Sequence, residues 1–250
     1  MDSDTGIGPF EGDAFGQALR TCHLAGGTAG AAYEIVERDD GLIGVTDMAG
    51  YFAPPDGWPE VERRLLDEVT GRVLDVGCGG GRHATALHKA GFDVLGLDPS
   101  PGAVEVARRR GAPAVQGSVT QAASSLGLFD TVLLGGHNLG LLGGREQAQR
   151  VLEWLAGITT AGSRIVATGR DPYATDDPEH LTYHQRNRAH GRMPGQLRLR
   201  IRHGRLATGW FDYLLCSPEE LTILLEPSPW RVATVWHTGS GDYTAVLERR

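Results

Sequence analysis

The stretch VLDVGCGGGRHATAL, residues 73–87, places four glycines between a short apolar segment and a helical pattern. RVLDVG is short and almost entirely apolar, which predicts a buried strand, and the helix after it runs to about Ala90. Glycines between a strand and a helix let a ligand approach the backbone and meet the positive end of the helix. The stretch therefore predicts a ligand site where the first strand ends.

Three kinds of ligand compete for such a loop. A Walker loop needs GxxxxGK[ST], and no Lys or Ser/Thr stands at the required place, so we reject it. Gly77 and Gly79 match the first two glycines of the dinucleotide fingerprint GxGxxG. Arg82 stands in place of the third glycine, where its side chain would crowd the helix packing. The dinucleotide interpretation is weakened but stays open beside a third one, considered below.

The chain then alternates between strands and helices. SPGAVEVARRRG predicts a helix with Ser100 as N-cap, Pro101 at its first position and Gly111 as its stop. Alternation with apolar strands predicts a parallel sheet covered on both faces. The predicted strands are RVLDVG, DVLGLD, APAVQG, DTVLLGG and SRIVATG, followed late in the chain by WRVATVWHTG and DYTAVLERR.

Other segments lie outside this alternation. Residues 1–12 are interpreted as a frayed tail and residues 13–38 as helical, with a break at GGTAG. LRLRIRHGRLATGWFDYLL alternates, with Leu199 and Ile201 on one side and arginines on the other, which predicts a hairpin turning at HGR. SPEELTILLE begins with a capping box of Ser217 and Glu220.

VLDVGCGGG resembles the hh(D/E)hGxGxG loop of the Rossmann-like, class I S-adenosylmethionine-dependent methyltransferases. Asp98 ends the second strand, 21 residues after Gly77, where that family has an acid. The resemblance spans about residues 73–170 and the last strand pair. It implies an α/β fold: one Rossmann-like domain with a mostly parallel seven-stranded sheet, an antiparallel last strand, an N-terminal helical lid and a β-hairpin after strand five. We expect the tail and lid over 1–60 and the core over 61–250, with a cap segment at about 171–216.

The resemblance also implies a set of cofactor contacts. The Asp98 carboxylate is expected to accept hydrogen bonds from both ribose hydroxyls of the cofactor, a role that suits an ionised acid. Asp75 is expected either to orient the loop and the methionine end of the cofactor or to act as a structural acid that accepts loop amides. The expected cofactor-binding residues are Asp75, Gly77, Cys78, Gly79, Asp98, Pro99, Ser118, Val119 and Gly135, the serine and valine lying where the family contacts adenine.

GGHNLGLL, 135–142, follows the fourth strand, which faces the methyl group in this family. It lacks the [DN]PP[YF] motif of amino-methylating DNA enzymes. His137 is therefore the candidate base or orienting donor, the alternative being a histidine that only caps the loop. The other residues expected around the acceptor are Tyr33, Tyr51, Tyr183 and His184, which lie in segments that fold over the sheet end in the family.

The composition limits the classes of function that the chain can have. A net charge of −7 argues against nucleic acid or an anionic membrane as partner, although residues 181–211 carry seven arginines and no acid. Three distant cysteines fit reduced thiols and a cytoplasmic protein, and they form no zinc cluster. We expect methyl transfer from S-adenosylmethionine to an O, N or C atom of a small molecule, with secondary metabolism as the expected setting. The alternatives are an NAD(P)-linked oxidoreductase and a non-catalytic S-adenosylmethionine-binding protein.

Overall fold

The computed structural model of the chain describes residues 9–120 and 126–250. Short 3₁₀ turns occur at Met48–Phe52, Pro55–Gly57 and Asn138–Leu142. The α-helices are α1 (Ala14–Leu24), α2 (Glu60–Asp67), α3 (Arg82–Lys89), α4 (Pro101–Arg109), α5 (Arg145–Gly157), α6 (Pro178–Ala189) and α7 (Pro218–Leu225). The strands are β1 (Phe10–Glu11), β2 (Tyr33–Arg38), β3 (Ile43–Asp47), β4 (Val73–Val76), β5 (Val94–Asp98), β6 (Ala114–Gln116), β7 (Phe129–Leu134), β8 (Thr159–Arg170), β9 (Gln196–His203), β10 (Leu206–Ala207), β11 (Phe211–Leu214), β12 (Trp230–His237) and β13 (Asp242–Arg249).

A seven-stranded central sheet has the order β12-β13-β8-β7-β4-β5-β6. β13 runs antiparallel to both of its neighbours, and the other strand pairs of this sheet are parallel. The strand order reverses between β4 and β7, so the loops after these strands diverge and leave a crevice at their carboxyl ends. The predicted α/β fold, with its mostly parallel sheet and antiparallel last strand, is confirmed.

The helices cover both faces of this sheet, as continuous apolar strands require. One core packs the sheet against α5 and α7, and it contains the fully buried Trp230. The other core lies under α2, α3 and α4. The predicted caps are present: the Ser100 side chain accepts from the Ala103 amide, and Ser217 and Glu220 form a capping box.

A second sheet lies over the crevice and is called the cap sheet below. Its order is β1-β10-β9-β2-β3, with β11 pairing β9 beside β10. β2 pairs antiparallel with β9, about 160 residues later in the sequence, so Val36 lies opposite Ile201. The cap sheet therefore joins the N-terminal segment to the segment after β8.

Two expectations for the N-terminal segment are wrong. Residues 33–38 form strand β2 instead of continuing a helix, because two partner strands supply hydrogen bonds that their helical pattern did not reveal. The expected tail lies outside the described residues up to residue 8, and Phe10–Glu11 are paired with β10 and are not frayed.

α1 crosses α4 at two glycines. A Cβ atom on Gly102 would lie 2.7 Å from the Cα of Gly16, so neither position has room for a side chain without movement. Leu19, Cys22 and Val106 bury the rest of this contact. The crossing fixes the N-terminal helix beside the carboxyl end of β5.

Within the described ranges, none of the helices is both long and apolar enough to cross a membrane.

Candidate active site

The glycine loop between β4 and α3 is held in a left-handed conformation at three positions. Gly77, Gly79 and Gly81 have φ values of 70°, 53° and 76°. A Cβ on Gly77 would lie 2.5 Å from Nδ2 of Asn138, which itself donates to the carbonyls of Val76 and Gly77 at 3.0 and 2.9 Å. The loop thus needs glycine both for its backbone angles and for the close approach of Asn138.

α3 packs closely against α4 at Gly81, not at Arg82. A Cβ on Gly81 would lie 3.0 Å from that of Ala107. Arg82 begins α3 and points to the crevice, where its guanidinium lies 3.1 Å from the Glu62 carboxylate. The crowding expected from an arginine at this position is therefore avoided by placing the glycine one residue earlier.

Asp98 stands at the end of β5 and is buried. Its two carboxylate oxygens accept from the backbone amides of Gly79 at 2.9 Å and Ser100 at 2.8 Å. Burial, together with the charges of Asp13 and Asp75, outweighs these hydrogen bonds and raises the pKa of Asp98 from 3.8 to about 6. A carboxylate held in this way gains from further donors, such as a pair of hydroxyls.

Asp13 ties the N-terminal helix to this end of the sheet. One oxygen accepts from the Gly16 amide at 2.9 Å and the Ser100 hydroxyl at 2.6 Å, and the other accepts from the Gly102 amide at 2.8 Å. It therefore caps α1 and also bonds the first turn of α4. The residues before and within α1 become one rim of the crevice.

A buried acid from α2 holds the loop after β7. Glu62 accepts from the Gly136 amide at 2.9 Å and the Thr168 hydroxyl at 3.0 Å, and its Oε2 lies 2.6 Å from Nε2 of His83. Burial raises the pKa of Glu62, but the hydrogen bond and charge of His83 and the charge of Arg82 outweigh it and lower the pKa to about 2. Glu62 thus fixes the strand end that the sequence predicts to face the methyl group.

The cap sheet presents one mostly apolar face to the crevice. β2 contributes Glu34 and Val36, and β9 contributes Leu199 and Ile201. Glu34 is only 6% exposed, and its Oε2 accepts from the Tyr51 hydroxyl at 2.8 Å.

Tyr213 of β11 joins the cap sheet to the end of β7. Its hydroxyl donates to the carbonyl of His137 at 2.5 Å. A Cβ on Gly140 would fall within 2.2 Å of the Tyr213 ring, so this turn needs glycine to admit the ring. The cap is fixed directly onto the strand end.

These elements enclose a cavity of about 780 Å³. It extends from the glycine loop, across the ends of β5 and β7, to the cap sheet. The predicted residues that line it are Tyr51, Gly77, Cys78, Gly79, Asp98, Pro99, Ser118, Val119 and Gly135. A cavity of this size suits a nucleoside-sized ligand and a small acceptor together.

Several of these residues serve the cavity in different ways. The buried Cys78 side chain packs against Gly96, on which a Cβ would lie 2.7 Å from the Cys78 sulfur. Cys78 therefore faces the cavity with its backbone. Among the described residues, the buried Ser118 hydroxyl has no hydrogen-bond partner. A Cβ on Gly135 would lie within 2.6 Å of the His83 ring, so glycine is required there.

The other five predicted site residues are not among those that line the cavity. Asp75 is buried beneath the loop, where Oδ2 accepts from the Ala84 amide of α3 at 3.1 Å. Both interpretations of Asp75, as a residue that orients the cofactor and as a structural acid, stay predictions. Tyr33 lies on the outer side of β2 and is 47% exposed.

Tyr183 and His184 lie on α6, behind the cap sheet. The Tyr183 hydroxyl donates to Asp39 at 2.7 Å, the Arg38 guanidinium lies 4.1 Å from the centre of its ring, and burial raises its pKa to about 12. Tyr183 therefore packs α6 onto the cap instead of facing an acceptor.

His137 is turned away from the crevice. It has a left-handed backbone (φ 64°), its amide donates to the Thr168 hydroxyl at 2.8 Å, and Nε2 lies 3.2 Å from a carboxylate oxygen of Asp242. The backbone of His137 shapes the strand end, and its carbonyl accepts the hydrogen bond from Tyr213. This matches the alternative in which the histidine only caps the loop. Catalysis by its imidazole stays a prediction.

Several of the arginines of 181–211 pair with acids on other elements. Arg200 and Arg202 both pair with Glu37, at 2.9 and 3.2 Å. Arg186 pairs with Asp39 at 3.0 Å. The arginine side of β9 therefore forms the outer face of the cap sheet, where Glu37 compensates part of its positive charge.

Sequence reasoning missed Glu34, Glu62, Asp13 and Tyr213. Glu62 could have been found, since it lies next to Val61 on the buried side of α2. Glu34 alternates with Val36 in a strand pattern that was interpreted as helix. For Asp13, an acid before a helix was the available signal.

Part of the chain matches a known protein family. Residues 73–162 match a family model described as a methyltransferase domain. This confirms the resemblance inferred from the glycine loop and Asp98.

Two curated relatives match the chain locally. A magnesium-protoporphyrin O-methyltransferase of Rhodobacter capsulatus is 40% identical over 76 residues, 28% of this chain and 34% of the relative. A ubiquinone biosynthesis O-methyltransferase of Azorhizobium caulinodans is 38% identical over 79 residues, 29% of this chain and 31% of the relative. The chain therefore spans about a third of the length of these relatives.

One solved structure matches nearly the whole chain. An S-adenosylmethionine-dependent methyltransferase from Bacteroides fragilis, in complex with S-adenosylhomocysteine, superposes on this chain with a TM-score of 0.81 and is 24% identical to it. The match covers 99% of each chain. The cap sheet and the central sheet thus occur together in a known fold.

Proposed function

We propose that this chain, whose residues 73–162 match a methyltransferase domain, is a class I S-adenosylmethionine-dependent methyltransferase that methylates a small molecule bound under the cap sheet. The single observation that carries the proposal is the continuous cavity from Asp98 to the cap sheet. One end has the features of a nucleoside site, and the other is walled by apolar and aromatic side chains.

The donor fits the first end. Asp98 accepts hydrogen bonds from the two ribose hydroxyls, and the glycine loop lets the ligand approach the backbone. The Ser118 hydroxyl, which has no hydrogen-bond partner within 9–120 and 126–250, lies beside the adenine position. The methionine end lies along Gly77 and Gly135, above the buried Asp75. S-adenosylmethionine supplies a methyl group already activated on a sulfonium.

The protein's task is then to align the acceptor and exclude water. Tyr213 and the Asn138–Leu142 turn keep the end of β7 fixed beneath the cap sheet. Leu199, Ile201 and Val36 form the dry wall opposite it. The acceptor atom is an O, N or C atom that this wall presents to the methyl group, and secondary metabolism stays an expectation from composition.

Calorimetric titration with S-adenosylmethionine, S-adenosylhomocysteine and NADH tests the proposal. Binding of the first two and not of NADH supports it. Binding of NADH alone supports an oxidoreductase and overturns it. Cofactor binding without S-adenosylhomocysteine formation across a broad acceptor panel supports the non-catalytic alternative.

Asp98→Ala tests the donor site within the same titration. It removes two hydrogen bonds to a charged acceptor, each contributing about 1.5–3 kcal/mol, so affinity should fall about 100-fold or more. Asp93→Ala is the matched control, because Asp93 precedes the opposite end of β5 and its side chain is 73% exposed. Equal affinities of the two variants would contradict the ribose assignment.

A further inference from the structure

We propose that Glu34 binds the acceptor through a protonated amino group, so that the substrates of this site are amines. The inference rests on the proposed function and adds the substrate class and the residue that selects it. It follows from the position of Glu34, from its unused oxygen and from the charges around the cavity.

Glu34 is the acid of the cap wall. It lies on β2 beside Val36, facing the cavity, and the strand next to β2 contributes Leu199 and Ile201. The carboxylate therefore lies in an otherwise apolar surface, and Glu34 is only 6% exposed. An ionised group in such a place needs partners, since burial penalises charge.

Among the described residues, the protein uses only one of the two oxygens of this carboxylate as a hydrogen-bond acceptor. Oε2 accepts from the Tyr51 hydroxyl, and among the described residues no hydrogen bond reaches Oε1. A carboxylate accepts and never donates when ionised, so a ligand at Oε1 has to present an N–H or O–H group. Tyr51 keeps the side chain in place for it.

The cavity's other acids have partners or are exposed. Asp98 accepts two amides and Asp13 caps two helices. Asp212 pairs with Arg192, and Glu11 is exposed at the rim. Glu34 is the buried acid that keeps an oxygen for an acceptor.

The charge around the cavity favours a cation over a neutral or anionic group. Within the part of the chain that is described, its charged lining residues are five acids, Glu11, Asp13, Glu34, Asp98 and Asp212, against Arg82 and His83, and the His83 ring contacts Glu62. The Arg82 guanidinium already faces Glu62. An acceptor carboxylate would be repelled, an alcohol would leave the charge of Glu34 uncompensated, and an ammonium both donates to Oε1 and neutralises it.

In the empty cavity, burial works against the ionisation of Glu34. Burial raises its pKa, against the hydrogen bond from Tyr51. A bound ammonium group would favour the charged form again. The site thus favours amines over neutral compounds of the same shape.

The test uses matched compounds on one frame: benzylamine, benzyl alcohol and benzoate, then phenethylamine, 2-phenylethanol and phenylacetate. Each is titrated by ligand-observed NMR into the full chain saturated with S-adenosylhomocysteine. We expect both amines to bind at least about tenfold more tightly than their alcohols, a preference of the size that one charge-assisted hydrogen bond gives. The carboxylates should bind most weakly.

Glu34→Gln should erase the preference for amines. Gln keeps an oxygen for the Tyr51 hydroxyl and nearly the same volume, so the fold is preserved. Glu37→Gln is the matched control, because it removes the same charge from the outer face of the same strand, where Glu37 contacts Arg200 and Arg202. It should keep the preference.

Four results would overturn the inference. The wild type could bind alcohols or carboxylates as tightly as amines, or bind no amine up to its solubility limit. Glu34→Gln could keep the amine preference. Glu34→Gln could weaken S-adenosylmethionine binding alone, leaving both S-adenosylhomocysteine binding and amine preference unchanged, which would assign Glu34 to the sulfonium. Failure of S-adenosylhomocysteine to bind at all would instead refute the proposed function, before any amine is added.

Discussion

Glu62→Gln tests whether a buried acid holds the strand end of the candidate active site. The substitution keeps the side chain's shape and removes its charge, so His83, Arg82 and Gly136 lose the group they share. The pKa of Glu62 falls from 4.5 to about 2 in the folded chain. Each pKa unit corresponds to about 1.4 kcal/mol, so we expect the free energy of unfolding to fall by about 3 kcal/mol.

The pH dependence has a definite sign. Because folding lowers this pKa, the stabilisation is complete above the unfolded value of 4.5 and is lost as the pH falls towards about 2. The difference between wild type and Glu62→Gln should therefore be greatest near neutral pH and shrink in acid.

Urea unfolding followed by circular dichroism measures this difference. Glu60→Gln is the control, since Glu60 is an exposed acid in the same first turn of α2, and it should change stability by less than about 0.5 kcal/mol. If Glu62→Gln were no more destabilising than Glu60→Gln, the network would not hold the strand end.

Further predictions concern the donor site, the helix crossing and the strand end. Since the pKa of Asp98 is about 6, affinity for S-adenosylmethionine should fall about tenfold for each pH unit below that value, and a flat calorimetric profile would remove Asp98 from the site. Gly102→Ala should destabilise the chain by about 1–3 kcal/mol through its clash with Gly16, whereas Gly44→Ala, with open space around it, should not; equal melting temperatures would refute the crossing. His137→Asn should keep turnover within about tenfold, because the imidazole faces away from the cavity, and a loss of about 100-fold would restore it as a base.

The central sheet could be predicted because its signals are local. Each parallel strand is a short apolar run next to a glycine or a helix cap, as at Gly77 and Ser100. Asp98 was found for the same reason, since a strand end and a spacing from Gly77 locate it. These features need no knowledge of distant partners.

The cap sheet could not be predicted in the same way. β2 is a strand because β9, about 160 residues later, pairs with it, and its residues also fit a helical pattern. Which face of β2 meets the cavity decides that Glu34, not Tyr33, lines it. His137 was chosen from its place in the sequence, but its left-handed backbone turns the imidazole to Asp242.

A crystal structure of the chain with S-adenosylhomocysteine tests the central claim most directly. We expect the ribose hydroxyls within hydrogen-bond distance of the Asp98 carboxylate, the adenine beside Ser118 and the sulfur facing the cap sheet below Glu34. A ligand bound outside this cavity, or one whose ribose lies away from Asp98, would contradict it.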